Sequence, residues 1–144
     1  MDWMREAQEE LRGYKAREYS IAGLREEIAA LQTEMERMGG GSEGAQVRGG
    51  GNAYDNRQIN LIVRKQKLKD ALKNAEAAAS RVRKALAFLT EDERRILELF
   101  YVSPERDCVR KLCAELHVEQ ATLYRLRERA LRRYTLARYG CLEG

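Results

Sequence analysis

The chain has 144 residues, of which 35% are charged and 44% hydrophobic, and it carries a formal net charge of +4. One proline and few aromatic residues, with Leu, Ala, Glu, Arg and Lys dominant, predict a helical protein of one or two small domains. Three cysteines without a Cys-x-x-Cys pair argue against a disulfide framework and favour a reducing cytoplasm. No apolar run approaches the ~18 residues of a membrane span, and the first ten residues lack the apolar stretch of a signal peptide.

The first segment, about 3–38, predicts a long amphipathic helix. From Ile21 to Met38 the apolar residues alternate at spacings of three and four, which is the a/d seam of a coiled coil. The seam is poorer before Ile21, because Glu10 and Arg17 take positions that should be apolar.

A glycine-rich stretch, GGGSEGAQVRGGG, occupies 39–51 and predicts a flexible connection that reaches to about residue 53. It lacks the spacing and the lysine of a phosphate-binding loop, so we expect no nucleotide site there.

The next segment, about 56–89, carries a second seam from Leu61 to Leu89. Two helices of similar length joined by a flexible loop predict a coiled-coil hairpin over 1–89.

One hairpin has only a single seam on each helix to bury. Two hairpins packed as a four-helix bundle bury more apolar surface, so we expect a homodimer through the long helices. The alternative, in which each helix finds its partner in another chain, remains open at this stage.

The remaining residues, 90–144, predict a second, smaller helical domain. Thr90 and Glu93 match a T-x-x-E capping box, so a new helix should begin after Thr90. That helix should stop at SPERD, residues 103–107, because the residue before Pro104 disfavours helix.

The apolar spacing of KLCAELHVEQATLYRLRERAL, residues 111–131, changes phase at His117 and Val118. A helix of about 108–116, a tight turn and a second helix from about Glu119 explain the change, and this order is a helix-turn-helix. Cys113 should fill the small slot where the helices approach closest, and His117 should adopt a left-handed backbone. The wedge between the helices should hold Leu112, Leu116, Val118, Leu123 and Leu126. A plain helical hairpin is the alternative.

The second helix, about 119–133, should present its polar face to the major groove of double-stranded DNA. Gln and Arg can read base edges through paired hydrogen bonds, and flanking arginines can hold phosphates. The candidate DNA-binding residues are Gln120, Ala121, Thr122, Tyr124, Arg125, Arg127, Glu128, Arg129, Arg132 and Arg133. The alternative is a solvated arginine face.

At these residues the chain resembles a known family. TEDERRILELFYV, 90–102, and LCAELHVEQATLYRLRERAL, 112–131, resemble the fourth region of sigma-70-type factors, which binds promoter DNA and can contact RNA polymerase. The whole layout resembles more narrowly the ArpU/RinA-type regulators of bacterial prophages. The resemblance implies a phage transcription regulator of the bacterial cytoplasm. It also implies DNA-reading roles for Gln120, Thr122, Tyr124 and Arg125. His117 and Glu119 depart from the usual turn and cap residues.

The sequence contains no catalytic constellation, and we expect no enzyme, no cofactor and no metal site. Cys108, Cys113, His117 and Cys141 could be drawn as a zinc site, but their spacing matches no common zinc pattern. Two other functions remain open: a small terminase subunit that binds DNA for packaging, and a sigma-like factor that binds RNA polymerase without reading DNA.

Overall fold

The computed structural model describes residues 1–41 and 51–143, and this part of the chain is all-α, as predicted. Its helices are α1 (Trp3–Gly41), α2 (Gly51–Phe88), α3 (Glu91–Leu97), α4 (Cys108–Leu116) and α5 (Gln120–Tyr139), with one π-helical turn (Glu98–Val102) directly after α3. None of the described helices is long and apolar enough to span a membrane.

The long helices α1 and α2 form the predicted hairpin and run antiparallel. Side-chain pairs join Tyr14 to Arg83 (3.4 Å), Arg25 to Glu76 (2.9 Å), Gln32 to Lys65, and Glu34 to Arg57 (3.7 Å). The residue numbers fall along α2 as they rise along α1, which is the signature of antiparallel packing. The chain therefore pairs its own two seams.

Both long helices extend further into the glycine-rich stretch than predicted. The first ends at Gly41 rather than at about Met38, and the second begins at Gly51 rather than at about Asn56. Adding a glycine to an existing helix costs only about 1 kcal/mol relative to alanine, whereas nucleation is the expensive step. The rest of the predicted flexible connection, 42–50, lies outside the described residues.

The structure divides into two compact units that differ from the predicted division between residues 89 and 90. The larger unit, Met1–Arg17 with Ala77–Gly144, is called here the terminal unit, and the other, Glu18–Glu76, the hairpin unit. The first turns of α1 belong to the terminal unit because their side chains contact the C-terminal helices. The Trp3 and Tyr139 ring centroids, for example, are 4.7 Å apart.

Almost all of the described core lies in the terminal unit. Of the 18 buried hydrophobic residues, only Ile21 and Leu31 belong to the hairpin unit. The other described seam residues there are half-buried, among them Leu24, Ile28, Met35, Met38, Leu61, Leu68 and Leu72. Two helices cannot enclose a seam by themselves, which accounts for this half-burial.

A break in the α1 seam has a structural reason. Glu10 takes a seam position, and its carboxylate accepts hydrogen bonds from the Tyr134 hydroxyl (2.8 Å) and from the Arg138 guanidinium (2.8 and 3.0 Å). Both partners lie on α5, so the start of α1 packs against α5 as well as α2. We call Glu10, Tyr134 and Arg138 the Glu10 cluster.

The predicted capping box begins α3. The Thr90 hydroxyl accepts from the Glu93 backbone N–H (3.2 Å), and the Glu93 carboxylate accepts from the Thr90 backbone N–H (3.0 Å). The predicted helix then changes to a π turn, which the sequence did not indicate. The Ser103 N–H donates to the Glu98 carbonyl five residues earlier (2.8 Å) and closes this turn before Pro104.

Candidate nucleic-acid interface

The helix-turn-helix consists of α4, the turn at His117–Val118 and α5. His117 has φ 56° and ψ 48°, and it is the one non-glycine residue with a positive φ in the described ranges. The Val118 N–H donates to the Cys113 carbonyl (3.1 Å), which is the six-to-one hydrogen bond of a Schellman turn. The predicted left-handed backbone at His117 is confirmed.

The predicted wedge between the two helices is also confirmed. Leu112 and Leu123 are fully buried and form one cluster with Ile96 and Leu99. The partly buried side chains packed against this cluster include Cys113, Leu116, Val118 and Leu126, with Phe100, Cys108 and Val109. The cluster thus also includes residues of α3 and the π turn, so α3, α4 and α5 share one core.

An ion pair fixes the scaffold helix α4 against α3. The Arg95 guanidinium donates two hydrogen bonds to the Glu115 carboxylate, at 3.1 and 3.0 Å. These bonds lower the pKa of Glu115 below its usual value. The pair lies at the surface, so its role is to orient α4 rather than to stabilise the fold strongly.

The start of α5 has no side-chain cap. Glu119 takes the N-cap position with an extended backbone (φ −84°, ψ 162°), and its carboxylate makes no capping hydrogen bond. A carboxylate still interacts favourably with the positive end of the helix dipole. The helix therefore still begins at Gln120, although Glu119 replaces the usual serine or threonine cap.

The exposed face of α5 contains most of the predicted DNA-binding residues. Its exposed members are Gln120, Ala121, Tyr124, Arg125, Glu128, Arg129 and Arg132, whereas Thr122, Arg127 and Arg133 are half-buried. The Gln120 side-chain amide donates to the Tyr124 hydroxyl (3.2 Å), so these two side chains are already linked one turn apart. The first two turns of α5 bring Gln120, Tyr124 and Arg125 to the surface together.

Three arginines on this face have no local partner. Arg125, Arg129 and Arg132 form no ion pair with any residue in the described part of the chain. Their guanidinium groups are exposed and free to take an anion. A polyanion lying along α5 would meet all three charges.

Arg127 lies between two aromatic rings. Its guanidinium carbon is 4.9 Å from the centre of the Phe100 ring and 5.0 Å from that of the Tyr124 ring. Cation–π contacts of this length stabilise a side chain by about 0.5–1 kcal/mol each. Arg127 thus connects the exposed Tyr124 to the π turn.

Arg133 is also occupied. Its Nε atom lies 2.8 Å from the Glu93 carboxylate, although the N–H does not point at the oxygen, and its guanidinium lies over the Phe88 ring at 5.1 Å. Arg132 and Arg133, both predicted to bind DNA, thus lie in different surroundings. Arg132 has no ion-pair partner in the described ranges, and Arg133 already has a carboxylate and a ring as neighbours.

Sequence reasoning missed the residues that hold this face from behind. Phe100 and Glu93 contact arginines of α5, and the Glu10 cluster attaches the end of α5 to α1. Their partners are 27 to 128 residues away along the chain, and periodicity carries no information about such pairs. The broken seam at Glu10 was the only local sign.

Nothing in the described residues forms a metal centre. No group of three or more His, Cys, Asp or Glu side chains in 1–41 and 51–143 is arranged to hold an ion. The three cysteines are free thiols and half-buried.

The chain was compared with protein-family models, curated proteins and solved structures, and none of them matches.

Proposed function

We propose that the protein is a sequence-specific DNA-binding transcription regulator that reads the major groove with α5. The observation that supports this most strongly is the pairing of a helix-turn-helix turn at His117 with an exposed face of unpaired arginines on the following helix. In helix-turn-helix proteins the first turns of the second helix contact base edges. The resemblance to ArpU/RinA-type regulators supports a role in phage or prophage transcription in a bacterial cytoplasm.

The surroundings of each side chain suggest its role. Gln120 and Arg125 carry the donors that read base edges, and Ala121 and Thr122 are small enough to approach a thymine methyl group. Arg129 and Arg132 are free to neutralise phosphates. Arg127 and Arg133 position the face through Tyr124 and Glu93, and Glu128 disfavours misplaced phosphates.

The protein is proposed to act as a homodimer. The described seam residues of the hairpin unit are mostly half-buried, and a second hairpin would cover them. A dimer also brings two recognition helices to two half-sites, which strengthens binding to an operator of matching spacing.

The experiment that tests this function is selection of bound duplexes from a random DNA pool, with the mass of the complex measured by light scattering. A regulator should enrich one motif and bind it as a dimer. A terminase-like packaging protein should form a ring of many subunits. A sigma-like factor that only binds RNA polymerase should enrich no motif, and that result would exclude the proposed function.

A further inference from the structure

The side-chain amide of Gln120 is held by a row of side chains that begins at the core. Phe100, in the π turn, packs against the buried cluster of the helix-turn-helix. The Arg127 guanidinium carbon is 4.9 Å from the centre of the Phe100 ring and 5.0 Å from that of the Tyr124 ring. The Gln120 Nε2 then donates to the Tyr124 hydroxyl (3.2 Å). An exposed glutamine at the start of α5 is therefore connected to the core through three other side chains.

The hydrogen bond to Tyr124 decides which polar atoms of Gln120 remain for a ligand. A glutamine amide has two N–H donors and one carbonyl oxygen, which accepts. One donor is used by the Tyr124 hydroxyl, and the Gln120 Oε1 has no hydrogen-bond partner among the described residues. The Gln120 amide thus keeps one donor and one acceptor in the same plane.

The bases differ in what they offer to such a pair in the major groove. Adenine presents N7, which accepts, beside its N6 amino group, which donates, so it matches one donor together with one acceptor. Guanine presents two acceptors, N7 and O6, which need two donors. Because the Gln120 amide has only one donor left, its Oε1 would face the O6 of guanine. Thymine and cytosine each offer a single hydrogen-bonding group there.

We infer that Tyr124 is a positioning residue, which orients the Gln120 amide so that the operator carries adenine at the base that Gln120 faces. This inference rests on the proposed reading of DNA by α5, and it adds the identity of one base and the residue that selects it. The Tyr124 ring is itself held by Arg127. An amide oriented in advance loses less conformational freedom on binding than a mobile one, which favours the matching base.

The test measures the affinity of the full chain for duplexes that carry each of the four bases in turn at every position of the selected motif. The position at which Gln120→Ala loses its base preference is the one that Gln120 faces. There the native chain should bind adenine at least about ten-fold more tightly than guanine. Tyr124→Phe should lower this ratio about five-fold, which corresponds to one neutral hydrogen bond.

Two controls separate positioning from a structural effect. A change that only loosened the fold would weaken all duplexes together and would leave the ratio of adenine to guanine binding unchanged. Tyr19→Phe makes the same chemical change at a tyrosine that is 85% exposed on α1, and it should keep the native ratio. In a Gln120→Ala background, Tyr124→Phe should not change the ratio further, because the residue that it positions has been removed.

The opposing results are distinct from one another. A preference for guanine at the Gln120 position, or an unchanged ratio in Tyr124→Phe, would show that the hydroxyl does not orient the amide for adenine. A changed preference at a different position in Tyr124→Phe would show that Tyr124 reads a base itself. If a motif is selected but Gln120→Ala alters no position, the inference fails while the proposed function stands. If no motif is selected, both fail.

Discussion

The arginines of α5 differ in what lies beside them. Arg125 and Arg132 are exposed and have no ion-pair partner among the described residues, whereas Arg127 lies near two rings and Arg133 lies beside Glu93. A free guanidinium can give its full charge to an incoming phosphate. A guanidinium that is already stacked would lose part of that contact on binding DNA, so its contribution is to positioning.

Arg127→Ala should lower the free energy of unfolding by about 1 kcal/mol, since it removes the contacts with Phe100 and Tyr124. It should leave the salt dependence of DNA binding unchanged, because no phosphate contact is lost. The control Arg129→Ala should do the opposite: unchanged stability and a shallower salt dependence. Urea unfolding and binding titrations in a salt series measure both quantities. The same salt effect for both variants would contradict the positioning role.

At the scale of elements, the Glu10 cluster attaches α5 to α1. The side chains of Glu10 and Arg138 are only 13% and 17% exposed, so their charges are largely shielded from water. Glu10→Gln should lower the free energy of unfolding by about 3 kcal/mol, because it leaves Arg138 without its counter-charge. The control Glu9→Gln removes an exposed pair with Arg5 and should change stability by less than about 0.5 kcal/mol. If Glu10→Gln and Glu9→Gln change the free energy of unfolding equally, the Glu10 cluster does not stabilise the packing of α5 on α1.

The tyrosines near Glu10 should make the stability of the protein sensitive to alkali. Burial, helped by the charge of Glu10, raises the pKa of Tyr139 to about 12, and burial also raises the pKa of Tyr134. The pKa of a tyrosine phenol in an unfolded chain is about 10. Because the folded pKa is higher, the contribution of Tyr139 to stability is complete below about pH 10 and is lost as pH rises towards about 12.

This alkaline loss is measured by urea unfolding at about pH 9 and about pH 11. The native chain should lose more stability between these values than Tyr139→Phe, which has no phenol to ionise. Tyr19→Phe is the control because Tyr19 is 85% exposed, and it should behave like the native chain. If Tyr139→Phe and the native chain lose equal stability, Tyr139 does not titrate abnormally.

Much of the fold could be predicted because its signals are local. The phase change at His117, the T-x-x-E box at Thr90 and the alternating seams all depend on residues within a few positions of one another. The π turn could not be predicted, because it ends its helix at Val102 and no later residues of that helix show a change of phase. The attachment of Glu10 to α5 was also beyond local reasoning, because its partners are more than 120 residues away.

The sequence predicts which residues make up the candidate site, but it does not predict which of them already contact other side chains. The sequence indicates which arginines share a helix, and helical geometry indicates which of them share a face. It does not indicate that Phe100 lies against Arg127 or that Glu93 lies against Arg133. The difference between free and occupied arginines therefore needed three-dimensional contacts.

At the scale of the whole molecule, the two units differ in how much core they possess. Among the described residues, two buried apolar side chains belong to the hairpin unit and sixteen to the terminal unit. We predict that light scattering gives about 33 kDa at micromolar concentration, twice the 16.6 kDa of the chain.

Leu72→Asp should abolish the dimer, because it puts a charge on the half-buried seam. The neighbouring control Lys73→Glu, which faces outwards, should keep it. A monomeric native chain would contradict the dimer.

The central claim, that α5 reads DNA sequence, is tested most directly by comparing Arg125→Ala with Arg132→Ala on the selected duplex and on a random duplex across a salt series. Arg125→Ala should weaken binding to the selected duplex by about 1–3 kcal/mol and change random binding much less. Arg132→Ala should weaken both duplexes about equally and make the salt slope shallower by roughly one unit. If Arg125→Ala weakens both duplexes equally, or if neither change matters, α5 is not a recognition helix.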